Sequence, residues 1–166
     1  MVFFFKSINP KYIIYVGRDK FENEELLRYA FPVDVWFHVD DLSSAHVYLR
    51  LPEDVTIDNI PDEILEECFQ IVKDNSIEGR KKDKVSVCYT PWENLKKTAS
   101  MEIGAVGYKK EENVKLAHGI TKNSEVLKRL NKSKEERVVD LQLEKESFIL
   151  ENSNRKKKFY EEAVCD

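Results

Sequence analysis

Two kinds of side chain alternate one by one through Asp34–Val39 and again through Ala45–Arg50. That is strand periodicity, because successive residues of an extended chain point to opposite faces. Val35, Phe37 and Val39 share one face with Ala45, Val47 and Leu49, and Asp34, Trp36, His38 and Asp40 share the other with His46, Tyr48 and Arg50. A turn at Asp41–Ser43 closes a hairpin that pairs Val39 with Ala45, Phe37 with Val47 and Val35 with Leu49 on its core side. The opposite face then pairs His38 with His46, Trp36 with Tyr48 and Asp34 with Arg50. A slip of one residue would set apolar against polar along the whole pair, so the register is well specified.

Upstream, the aromatic and β-branched runs VFFFKS and YIIYVG are parted by Asn9-Pro10 and predict an N-terminal hairpin. Gly17 ends the second run. ENEELLRYA follows with carboxylates in its first turn and Leu26, Leu27 and Ala30 at helical spacing, stopped before Pro32. A longer helix is expected through IPDEILEECFQIVKDNS, where Pro61 suits a first turn and Ile60, Ile64, Leu65, Cys68, Ile71 and Val72 form one stripe. KVSVCYT alternates Val85, Val87 and Tyr89 against Ser86, Cys88 and Thr90, and GAVGYKK with NVKLAHG predicts another hairpin turning at Glu111-Glu112. The pattern is α+β, a mostly antiparallel sheet with two packed helices.

The texture changes near Thr121. Residues 121–166 contain no proline or glycine, and basic and acidic residues there are nearly balanced. Scattered apolar positions such as Val126, Leu127, Leu130, Val138, Leu141, Phe148 and Leu150 predict a charged helical extension that buries little on its own, beside a domain spanning 1–120. NKSKEER interrupts the stripe, leaving two outcomes: a short frayed or antiparallel helix, or a coiled coil through which the chain self-associates.

Composition narrows the class. A chain of 166 residues that is 42% hydrophobic supports one core. No apolar run approaches the ~20 residues of a membrane span, and Met1–Lys6 lacks a secretory pattern. Cys68, Cys88 and Cys165 are widely spaced without a CxxC pair, which suits a reducing, intracellular home, cytoplasmic or nuclear. The net charge of −4 hides an acidic block at Glu53–Glu67 and a basic one at Arg80–Lys110, so an anionic partner fits.

The His/Trp/Tyr/Arg ladder admits several chemistries. As a metal site it is short of ligands, because only Asp40 joins His38 and His46 while His118 is remote; no metal or cofactor is assigned. Ser43 or Ser44 beside His46 lacks the glycine-framed elbow of a nucleophilic serine and suits a turn. An acid/base or metal-dependent enzyme built on His38, His46 and Asp40 is the rival reading. Trp36 and Tyr48 could instead cover a second apolar layer. As a group, exposed aromatics interleaved with His and Arg make a stacking and phosphate-binding platform. A second basic aromatic stretch carries Tyr89, Thr90, Trp92, Lys96 and Lys97, and the GRKKDK run from Gly79 to Lys84 is a further candidate for a positive patch.

The ordered motifs IIYVGRDKFENEELL, DVWFHVDDLSSAHVYLRL, EECFQIVKDNSI and VSVCYTPWENLKKTASMEIGAVGYKK resemble the NFACT-R RNA-binding domain. That domain occurs in fibronectin-binding-protein-like factors of ribosome-associated quality control and in small stand-alone proteins. The resemblance implies an α+β nucleic-acid-binding domain whose surface includes Arg18, Trp36, His38, Ser43, Ser44, His46, Arg50, Tyr89, Thr90, Lys96 and Lys97, with Gly17 and Asn23 from the VGR…N motif. Many members carry Pro-Gly where Ser43-Ser44 stand here.

The expectation is therefore a non-enzymatic module for RNA, such as tRNA or a ribosomal segment, or for DNA, stacking bases on Trp36 or Tyr48 and holding phosphates with Arg18, Arg50, Lys96 and Lys97.

Overall fold

The structure, a computed structural model, describes the backbone of residues 1–164 and side chains through residue 154. Cys165 lies outside the described residues. The aromatic runs pair as predicted: β1 (Val2–Lys6) and β2 (Ile13–Gly17) form an antiparallel hairpin. Helix α1 (Lys20–Tyr29) follows, capped by the Asp19 side chain, which accepts the Glu22 amide at 3.0 Å. Next come β3 (Asp34–Val39), β4 (Val47–Arg50), α2 (Asp62–Asp74) and β5 (Val85–Pro91). The remaining elements are β6 (Leu95–Lys96), β7 (Gly107–Tyr108), β8 (Lys115–Ile120), α3 (Ser124–Ser133), β9 (Glu135–Arg137) and α4 (Leu141–Val164).

Seven strands form one antiparallel sheet in the order β8-β5-β3-β4-β2-β1-β9, and β6 pairs only with β7. The fold is α+β. One face carries the main core: Ile14, Val35, Phe37, Val47, Leu49 and Val87 from the sheet pack on Ile64, Cys68, Ile71 and Val72 of α2. The stripe read from the sequence is the face that α2 buries.

The β3–β4 register is the expected one, with Phe37 opposite Val47, Trp36 opposite Tyr48, Val35 opposite Leu49 and Asp34 opposite Arg50. Ladder pairing ends at Phe37–Val47. Beyond it the hairpin tip is held from outside: Val39 N donates to Ser44 Oγ at 3.1 Å and Ala45 N donates to the Asn75 carbonyl at 3.0 Å. Asp41 turns the chain with φ of 61°, a conformation that Asp tolerates better than most residues.

One expectation needs correction. GAVGYKK and NVKLAHG do not pair with each other: β7 pairs with β6, and β8 pairs with β5. The cause is Asn94, whose side chain donates to the Lys110 carbonyl and accepts the Lys110 amide, while its carbonyl accepts the Lys109 amide. These bonds turn Lys109-Lys110 back toward β6.

The first part of the segment after residue 120 packs on the body. Leu130 of α3 is fully buried in the main core, Arg129 reaches the buried Glu67 carboxylate of α2 at 2.8 Å, and Gln70 holds the backbone at Thr121 and Asn123. β9 adds an edge strand beside β1. Its polar residues were silent in the pattern because an edge strand needs only backbone partners.

Candidate nucleic-acid interface

The second face of the sheet carries the ladder, and it is covered. Trp36 is 2% exposed, Tyr48 and Asp34 are 0%, and His46 is 3%. Leu26 and Ala30 of α1 lie over this face, with Trp92, Leu95 and Tyr108 from the β5–β7 region and Val139 and Leu141 at the start of α4. The expectation of an exposed stacking platform is thus replaced by a second core. Large aromatic rings bury mostly apolar surface, and here helix and loop supply their surroundings.

Inside this layer most of the polar groups are paired, although the buried Tyr48 hydroxyl has no hydrogen-bond partner among the described residues. The indole nitrogen of Trp36 donates to His46 Nδ1 at 3.1 Å, Trp36 stacks on His38 with ring centroids 5.4 Å apart, and the two imidazoles meet edge to face at 5.2 Å. His38 Nδ1 donates to its neighbour's carbonyl, Val39 O, at 2.6 Å. Burial pushes the His46 pKa down to about 3, with His38 and Lys97 nearby acting in the same sense, and burial lowers His38 as well. A neutral His46 whose Nδ1 is occupied is poorly placed for the acid/base role considered with His38 and Asp40. Among the described residues, His, Cys, Asp and Glu gather nowhere in groups of three that could hold a metal.

The last rung is a buried ion pair. Asp34 accepts from Arg50 Nε at 3.0 Å and Nη2 at 3.1 Å, from Phe31 N at 2.9 Å and from the Tyr15 hydroxyl. The Arg50 guanidinium lies 3.3 Å from the Phe31 ring centroid. Arg50 is therefore committed internally on both its charge and its flat face. Tyr48 stacks on Tyr15 at 5.0 Å.

The second basic stretch divides similarly. Tyr89 faces the main core and stacks on Phe37 at 5.2 Å. Thr90 is buried, donating to Asn113 O and accepting from Asn94. Lys97 turns inward: its ammonium reaches Glu24 at 3.0 Å and the carbonyls of Glu102 and Ala105 at 2.6 and 2.7 Å, clamping the loop between β6 and β7. Three acceptors use the three donors of a lysine. Lys96, next to it on β6, is exposed.

The serines belong to the hairpin tip. Ser44 Oγ accepts from Val39 and donates to Ala45 O at 2.9 Å, and the Ser43 carbonyl accepts Ser76 Oγ at 2.7 Å. None of these three contacts involves an imidazole, in keeping with a turn. Ser76 also accepts the Gly79 amide at 3.0 Å, so one hydroxyl joins the hairpin tip to the basic Gly79–Lys84 loop. The buried Lys73 stiffens that loop by donating to Gly79 O and Lys82 O, which leaves Arg80, Lys81 and Lys82 pointing outward and exposed.

On the other side of the tip lies a cleft of about 550 Å³, lined among others by Gly17, Arg18, Lys20, Asn23, Ser43 and Lys134. Arg18 and Lys20 are exposed, and the Gly104 loop leans on Lys20. The resulting rim runs from the Arg80–Lys82 loop across Ser43 to Arg18 and Lys20. Sequence reading missed Ser76, Lys73, Asn94 and Lys20. Only the basic run itself carried a signal; its placement depends on a contact between residues 33 positions apart.

Comparison with known proteins agrees with this architecture. The chain is 53% identical over 156 residues to coiled-coil domain-containing protein 25 of Danio rerio, covering 93% of this chain and 75% of that one. It is 56% identical over 147 residues to the homologue from Dictyostelium discoideum, covering 89% and 71%. Protein JLP2 of Saccharomyces cerevisiae is 38% identical over 143 residues, covering 82% and 69%. The solved structure of the C-terminal part of the fibronectin/fibrinogen-binding protein from Streptococcus suis shares the fold, with a TM-score of 0.64 at 23% identity, covering 76% of this chain and 47% of that one. Residues 1–110 match the NFACT protein RNA binding domain, and the chain belongs to that family.

Proposed function

We propose that this chain is a non-enzymatic RNA-binding module that holds the phosphate backbone of a tRNA or ribosomal segment along the exposed rim of Arg18, Lys20, Arg80, Lys81 and Lys82, with Lys96 on the adjoining hairpin. The observation that carries this reading is Ser76, which bonds to both Ser43 and Gly79 and so draws the basic loop onto the hairpin tip. Family membership supports RNA as the partner. The net charge of −4 makes the local cluster the relevant quantity, since phosphate neutralisation acts within about one Debye length of ~8 Å at physiological salt.

Ser43 and Ser44 at the tip stay within reach of a bound strand, whereas the ladder of Trp36, His38, His46, Tyr48 and Arg50, together with Tyr89 and Thr90, shapes the domain beneath it. DNA offers the same phosphates, and contacts to the 2′-hydroxyl separate the two polymers. Titration of a labelled single-stranded RNA and its DNA counterpart at several salt concentrations tests the reading. RNA affinity that falls steeply with salt, and falls less steeply after Arg80, Lys81 and Lys82 are changed to alanine, supports it. Salt-independent binding, or no binding at low salt, defeats it.

A role of α4 in self-association is supported by Leu143 and Leu150, exposed and one heptad apart. Light scattering on the chain and on a Leu143→Glu, Leu150→Glu variant tests that role; identical monomer masses end it.

A further inference from the structure

We propose that Phe21, with Ile103 beside it, is a shelf on which a single-stranded RNA stacks one unpaired base; this rests on the RNA-binding reading above and adds a base contact next to the cationic rim. The rings of the hairpin ladder are buried, which closes them to a base. Among the described residues Phe21 is the one largely exposed aromatic side chain, at 60%. A lone exposed apolar residue is ordinary, so the surroundings of the ring carry the argument. Phe21 is the second residue of α1 and directly follows Lys20 of the rim. The Lys20 ammonium stands 5.3 Å from the ring centroid, outside the ~3.5–4.0 Å of close contact, and as an exposed lysine it can turn to a phosphate while the ring stays open.

The loop between β6 and β7 completes the shelf. Glu24 accepts the Gly104 amide at 2.8 Å and pairs with Lys97 at 3.0 Å, which pins this loop against α1. Gly104 approaches Lys20 so closely that a Cβ on it would meet Lys20 Cβ at 3.6 Å. Ile103, one residue earlier and 50% exposed, joins Phe21, Leu27 and Tyr29 in lining a groove of about 680 Å³, within the ~300–1,000 Å³ usual for small-ligand sites. The charges of the groove are answered within it: Glu24 is paired with Lys97, and Glu25 stands one helical turn before Arg28. Such a groove suits an uncharged base, while the phosphates of the same strand meet Arg18 and Lys20. A ring beside a line of cations is how single strands are held with little regard to sequence, whereas the bases of a duplex already stack on one another.

The test measures binding of the full chain to a labelled single-stranded oligouridylate and to an RNA duplex of equal length over a series of salt concentrations. Phe21→Leu keeps the apolar bulk and removes the ring. It is expected to weaken single-strand binding about 5- to 100-fold, to leave the salt slope unchanged because no phosphate contact is lost, and to leave duplex binding unchanged. Phe21→Trp is expected to bind the single strand at least as tightly as the unchanged chain. Ile103→Glu, on the loop and outside α1, sets a carboxylate beside the base and lowers single-strand affinity, which decides the matter if the Phe21 variants fail to fold. Undiminished single-strand binding in the variant that folds, an equal loss on duplex and single strand, or a lower salt slope in Phe21→Leu overturns the proposal; the first of these leaves the patch to an apolar side chain of a protein partner. RNA binding that depends on Arg80, Lys81 and Lys82 but not on Phe21 removes the shelf alone, and no RNA binding by the unchanged chain removes the rim reading and the shelf together.

Discussion

Trp36 donates its indole hydrogen to Nδ1 of His46 across the hairpin at 3.1 Å, in a layer where both side chains are almost fully buried. That bond requires an unprotonated Nδ1, so His46 carries its hydrogen on Nε2 and is neutral in the folded protein.

Acid therefore destabilises the fold well above the range in which carboxylates titrate. The unfolded chain protonates His46 near pH 6.5, whereas the folded chain resists to about 3, so stability is complete above the first value and falls as pH drops toward the second. Between pH 7 and pH 5 this one histidine removes about 2 kcal/mol, and His38, lowered in the same direction, adds to the loss. Urea unfolding at the two pH values measures it, and His46→Gln removes most of the difference.

Arg50→Ala separates structure from binding. It leaves the fully buried Asp34 without its cation and costs about 3–5 kcal/mol. Thermal unfolding shows the loss directly. If Arg50 instead served mainly as a phosphate contact, the melting temperature would hardly move.

Lys96 and Lys97 are adjacent in sequence and differ in effect. Lys96→Ala lowers the salt slope of single-stranded RNA binding by about 0.7 and leaves stability unchanged, because the side chain is exposed. Lys97→Ala keeps that slope but loosens the loop it clamps, at about 1–2 kcal/mol, because it removes bonds to Glu24, Glu102 and Ala105. Salt titrations paired with melting curves distinguish the two lysines.

Gly17→Ala tests the close approach of β2 to α1. The added methyl would fall 2.5 Å from Asn23 Oδ1 and 3.1 Å from Asn23 N and Leu26 Cδ1, which implies about 1–3 kcal/mol of destabilisation from overpacking. Denaturant unfolding gives the value, and wild-type stability would show that α1 shifts freely.

Much of the fold was legible because it rests on short-range pattern. The β3–β4 register follows from two alternating runs and one turn, and Trp36 falls opposite Tyr48, as the alternation requires. The α2 face follows from its stripe at helical spacing. Pairing of β7 with β6 was hidden because it depends on Asn94, whose bonds to Lys109 and Lys110 no local pattern announces.

Alternation along Asp34–Arg50 settled which side chains share a face, since in an extended chain that is geometry between neighbours. Whether that face met water was settled at a distance. Leu26 of α1, Trp92, Tyr108 and Leu141 come from four separate parts of the chain to cover Trp36 and Tyr48, while Ser76 carries the basic loop to the hairpin tip. Burial is a property of what packs above a residue, so the same ladder of rings reads as a binding surface in one dimension and becomes the floor of a second core in three.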